Sequence, residues 1–335
     1  MLKKPDAFIK ESNMNESVNR RHFLSKGVRL CAAAGAVGMS GTEALAQTVE
    51  GSVRRPGRFD ENVIITERKP FTWPGEKTLA VWFIPNVEVF ILSPSGGAQG
   101  DVDVLNYSWR EYGMRVGLWR LADVMDEADI KATVALNAGV CDVWPKAIEE
   151  MDKRGWEMMG HNLTNSRSLR NLPLDQEHAI IDGTLKIIEQ ATGKKVRGWL
   201  GTGLGETFST LDNLAEAGVV YTGDWNNDDV PYRMKVKSGE MYALNYGNAV
   251  NDISFWGKGH TGDEYYQMLV SQFDTLYEDS KKLPRVMGIP LHPFHTGQPS
   301  RIKYFQKAVQ YMKQQDKVWF ARGSEILDAY KKSQG

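Results

Sequence analysis

Short apolar runs alternate with amphipathic stretches over about 250 residues, and this alternation limits what the chain can fold into more than any other feature. Strand-like runs are expected at 78–84, 132–137, 156–161, 196–200, 219–224, 241–246, 285–291 and 317–321. Helical patterns lie between most of them. One places Ile180, Ile181, Leu185 and Ile188 on a single face and stops at Gly193. Repeated strand–helix units imply a parallel sheet with helices outside it. A closed barrel and a doubly wound sheet both satisfy the pattern. The first strand–helix turn lacks a glycine-rich phosphate loop, so the expected fold is an α/β barrel.

The 335 residues suit one such barrel, and a formal net charge of −1 gives no basic footprint for a nucleic acid. The first 46 residues stand apart. Arg20-Arg21 precedes a weakly apolar stretch from Leu30 to Met39, and Ala44-Leu45-Ala46 has the form of a cleavage site. This resembles a twin-arginine export signal and predicts a periplasmic or secreted protein. The apolar stretch is too short to span a bilayer, so no membrane anchor is expected after cleavage. Cys31 would leave with the signal, and Cys141 alone could form no internal disulfide. Residues 47–77 read as a polar arm, and 78–335 as the catalytic domain.

In a barrel, chemistry belongs where strands end and loops begin. The first expected strand runs out at Asn86 and Glu88, and the third at His161 and Asn165. The fifth is followed by Asp224, Trp225, Asn227, Asp228 and Asp229. The seventh ends at His292 and His295, and the eighth at Arg322. Three of the five histidines beyond the signal occupy such positions, whereas His178 and His260 read as structural. A plainer reading has one of Asp228 and Asp229 merely capping a turn, and most tryptophans in the core. A second histidine four residues after His161 would make a common metal grip, but Asn165 stands there. The long stretch from Phe90 to Tyr107, rich in Gly, Ser and Asp, reads as a lid or rim.

The order of these motifs resembles the polysaccharide deacetylase superfamily, whose fold is a distorted (β/α)7-type barrel. Most members of that superfamily carry an Asp-Asp pair after the first strand and H-x-x-x-H after the third, and bind a divalent metal. Here Pro85-Asn86-Val87-Glu88 and Asn165 replace two of the three expected ligands. The substitutions resemble the allantoinase-like branch, which includes cyclic imide hydrolases. The matching segments are Asn86-x-Glu88, Tyr112-Gly113-x-Arg115, "RGWLGTGLGET", Asp228 to Tyr232, and His292 with Gly297, Pro299 and Arg301.

That resemblance implies a homo-oligomeric hydrolase of carbon–nitrogen bonds other than peptides, working without a metal cofactor on a small amide, cyclic imide or ureide. Glu88 is the candidate general base, with His161 and His292 for the oxyanion or the leaving nitrogen. Asn86 and Asn165 would donate to the substrate carbonyl, Asp228 would accept from substrate N–H groups, and Arg115 or Arg322 would hold an anionic end. Trp225 would form a wall. Two alternatives stay open. One is a zinc-type N-deacetylase of polysaccharide or peptidoglycan using Glu88, His161 and His292. The other is a non-catalytic carbohydrate-binding barrel built on Trp225.

Overall fold

The first strand sets the architecture, because its two faces are both buried for different reasons. In β1 (Leu79–Val87) all nine residues are buried. Leu79, Val81, Phe83 and Val87 pack outward with the helices, whereas Ala80, Trp82 and Ile84 pack inward against Met159, Leu200, Tyr221 and Leu244. Side chains alternate with period two, so the inward row continues upward through Asn86 to Glu88. The apolar filling thus gives way to polar groups at the strand's C-terminal end.

The computed structural model describes residues 57–60, 62–92, 101–170 and 172–335. The remaining strands are β2 (Thr133–Leu136), β3 (Glu157–Gly160), β4 (Gly198–Trp199), β5 (Tyr221–Thr222), β6 (Tyr232–Met234), β7 (Met241–Ala243), β8 (Arg285–Leu291) and β9 (Val318–Phe320). They run in the order β6-β7-β5-β4-β3-β2-β1-β8, all parallel except the β6–β7 pair. β9 pairs with the first three residues of β1, while β2 pairs with its last two. β9 therefore fills the bottom of the gap that β2 closes at the top. No ladder joins β7 to β8, so the sheet curls into a distorted barrel that stays open on one side.

All eight expected strands are present. β6 is an additional short antiparallel return after Pro231. The helix Leu174–Thr192 buries Ile181, Leu185 and Ile188 and ends where Gly193 turns left-handed at φ 68°. The signal-like segment and residues 93–100 of the expected rim lie outside the described residues. From residue 57 on, the expected arm is folded against the domain. Trp73 is buried and donates from Nε1 to the Arg285 carbonyl at 3.1 Å, and Arg58 forms an ion pair with Asp212 at 3.0 Å. Among the described residues, no helix is long and apolar enough to cross a membrane.

Candidate active site

Glu88 sits just above β1, only 5% exposed, with Oε1 3.4 Å from Nε2 of His161. Parallel pairing places both in one layer, since Val87 lies opposite Leu136 and Leu136 opposite Gly160. Asn137, fully buried at the end of β2, fixes the layer. Its Oδ1 accepts the Val89 amide at 3.0 Å and its Nδ2 donates to the His161 carbonyl. His161 donates from Nδ1 to the Leu200 carbonyl at 2.6 Å. With Nδ1–H so used, the His161–Glu88 contact is attractive only if a proton lies between them. The second carboxylate oxygen, Oε2, is buried and has no hydrogen-bond partner. A buried acceptor left open in this way costs stability, as groups kept for a substrate commonly do.

His292 enters from the top of β8. Its Nδ1 donates to Oδ1 of the fully buried Asp252 at 2.6 Å, while its backbone amide donates to Oδ2 at 2.8 Å. Thr296 adds a hydroxyl donor to Oδ2 at 2.5 Å. Burial alone would pull the imidazolium down, but the Asp252 carboxylate and then Glu88 outweigh it, so the protonated form of His292 is favoured. Nδ1 is committed to Asp252, which leaves Nε2 for a substrate. Neighbouring His295 moves the other way, to about 4, through burial and the charges of His292 and Arg301, and stays neutral.

Among the described residues, no group of three His, Cys, Asp or Glu side chains is arranged to hold a metal ion. Each histidine uses Nδ1 within the protein, His161 on the Leu200 carbonyl and His292 on Asp252, and keeps Nε2 toward the site, that of His161 beside Glu88.

Residues 111–222 match the polysaccharide deacetylase family model. Over that third of the chain the sequence is similar to the family. A Schizosaccharomyces pombe protein assigned to that family is 25% identical over 239 residues, 66% of this chain and 74% of the relative. A crystal structure from Pseudomonas aeruginosa PAO1, assigned likewise, superposes with a TM-score of 0.73 at 26% identity, covering 82% of this chain and 98% of the other. The PuuE allantoinase structure gives 0.72 at 25% identity, with the same coverage. The expected superfamily and barrel class both stand.

The other expected site residues separate. Asn165 is beside the centre: its backbone N–H donates to the Val89 carbonyl at 3.0 Å, and its buried side-chain Oδ1 has no partner. Asn86 faces the interior, but its Nδ2 is used by the Tyr246 hydroxyl at 2.7 Å and the Ile84 carbonyl at 3.2 Å, so it is a strut and not a substrate donor. Trp225 donates to Glu206 and lines a cleft of about 640 Å³ with Arg58, Arg170, Phe208 and Leu211. Asp224, next to Trp225 in the chain, accepts the Gly201 amide at 2.8 Å, one residue past the Leu200 that holds His161.

Three assignments are corrected. Asp228 is tied up by Arg68 and by the Val230 amide at 3.0 Å. Arg115 points to solvent, because residues Gly113–Gly117 form a π-helical turn that shifts the side-chain register. Arg322 lies at the opposite end of the barrel, donating to the Gly155 carbonyl at 3.0 Å and to Glu325 at 2.8 Å. It caps the last helix, Gly323–Gln334, whose next two amides bond Thr133 and Glu157 at the starts of β2 and β3. Asn137, which closes an expected strand, satisfies the strand-end criterion and was missed. Asp252 follows the helix-capping Asn251 and carries no such signal.

Proposed function

We propose that this domain hydrolyses a carbon–nitrogen bond of a small amide, cyclic imide or ureide, with Glu88 as general base and no metal ion. One observation carries the reading. A buried carboxylate with an open oxygen stands beside one anchored histidine and within the field of a second. The likeness to an allantoinase, over nearly all of that structure's length, supports it.

In the proposed reaction, Oε2 of Glu88 takes a proton from water as the oxygen attacks the substrate carbonyl carbon. The negative charge moves to the carbonyl oxygen, close to the protonated ring of His292. Collapse of the tetrahedral intermediate breaks the C–N bond, and His292 Nε2–H gives its proton to the leaving nitrogen. The proton on Glu88 returns to His292 through solvent, so one water is consumed and the products are a carboxylic acid and a freed N–H group, on two molecules for a simple amide and on one opened chain for a cyclic imide or ureide. His161 and Asn137 hold Glu88 in place. We further propose that the protein is exported by its twin-arginine-like leader and works as a homo-oligomer.

A second reading is a metal-dependent deacetylase of acetylated glycans, favoured by the family description and by two relatives assigned to it. Turnover of hydantoins, cyclic imides, allantoin and N-acetylated oligosaccharides, each with and without a strong chelator, separates the two. The expected outcome is chelator-resistant ring opening that Glu88→Gln lowers by about 10²–10⁴-fold with the fold intact. Chelator-sensitive acetate release would establish the second reading instead.

A further inference from the structure

The loss of Arg115 and Arg322 from the site leaves open what, if anything, receives an anionic group there. Arg110, on the helix Val104–Tyr112, takes that place. Its guanidinium carbon lies 4.1 Å from the ring centre of Phe90 and 5.4 Å from that of Phe294, the residues two positions beyond Glu88 and His292. The neighbouring Trp109 pins the helix by donating to the Phe294 carbonyl at 2.9 Å. Arg110 is half-buried, and among the described residues its one side-chain hydrogen bond runs from Nε to Asn106 Oδ1 at 2.8 Å. The two terminal nitrogens are thus held by ring stacking while their N–H groups stay unspent.

The other arginines nearby are committed. Arg120 bonds Tyr112 and the Gly297 carbonyl, and Arg301 stacks on Trp256 and bonds His295. A site that keeps a buried carboxylate as its base repels anionic substrates unless a cation receives them. Burial lowers the charged form of Arg110, and Glu88 and Asp103 partly restore it, as expected of a cation waiting for a counterion.

We infer that Arg110 is a specificity-determining residue that admits substrates bearing a carboxylate next to the scissile ring, through a forked contact from its terminal nitrogens. This rests on the hydrolase reading for the identity of the ring but not for the anion contact. The test is calorimetric binding of hydantoin-5-acetate and of its neutral amide, hydantoin-5-acetamide, to the full chain at fixed ionic strength. Turnover is followed in parallel. Wild type is expected to prefer the acid by at least about tenfold, a preference of about 1.4 kcal/mol. Arg110→Gln should abolish it while keeping affinity for the amide, and Arg110→Lys should keep its sign. Equal binding of both compounds by wild type, binding of neither, or a preference that survives Arg110→Gln would overturn the inference. A preference that depends on Arg110 without turnover would uphold it and count against the hydrolase reading alone.

Discussion

At the scale of single residues, the site depends on groups that have given up one bonding direction to keep another. His292 spends Nδ1 on Asp252, and Asp252 is itself fully committed to the His292 ring, the His292 amide and Thr296. An amide at position 252 would keep the shape but lose the charge that outweighs burial. Because the folded His292 favours its protonated form, its role as acid is present at low pH and is lost as pH rises through its titration. Asp252→Asn should therefore move the alkaline limb of kcat/KM to lower pH and reduce kcat/KM at neutral pH by about 10²-fold. A pH–rate profile checks this. A uniform loss with the limb unmoved would make Asp252 a packing residue only.

The elements place these residues through backbone contact as much as through side chains. The π-helical turn Gly113–Gly117 lies flush against the short helix Pro293–Thr296 that follows His292. A Cβ built on Gly117 would stand 2.0 Å from the Pro293 carbonyl oxygen, a clash that no rotamer relieves. Gly117→Ala should push that helix away, costing about 3 kcal/mol and lowering kcat with little change in KM. Thermal melting with steady-state kinetics checks it; a stable variant with full activity would show the contact to be slack. This level also shows why the sequence could be read only in part. Strand positions follow from apolar runs, and each of the eight was visible. Strand heights do not follow. β9 reaches only the first third of β1, so Arg322 stands at the bottom of the barrel although it ends a strand. The π-turn likewise shifts Arg115 outward by a local change in hydrogen bonding that residue spacing does not encode. Glu88, His161 and His292 were legible because polar residues ending buried strands are unusual, whereas Asp252 read as the start of an ordinary capped helix.

Across the whole molecule, the two ends of the barrel carry half-buried acids of different use. At the bottom, Glu157 is shifted up mainly by burial but accepts from Tyr221, Thr133 and the Ser324 amide, closing the barrel beneath its last helix. Near the top, Glu206 is raised to about 9, first by burial and then by the adjacent Asp224 carboxylate. Protonated Glu206 can donate to Asp224 Oδ2, which otherwise has no partner. The consequence for stability has a definite sign. Between the ordinary 4.5 and about 9 the folded state holds a proton that the unfolded chain has lost. The stability this neutral carboxyl contributes is complete below the lower value and declines as pH rises through the upper one. Glu206→Gln keeps a donor for Asp224 and cannot ionise. It should match wild type near pH 4.5 and exceed it at pH 8 by at least about 1 kcal/mol, seen as a higher melting temperature only at the higher pH. Equal gains at both pH values would mean that the substitution acts by packing and that Glu206 is not held protonated beside the Trp225 cleft.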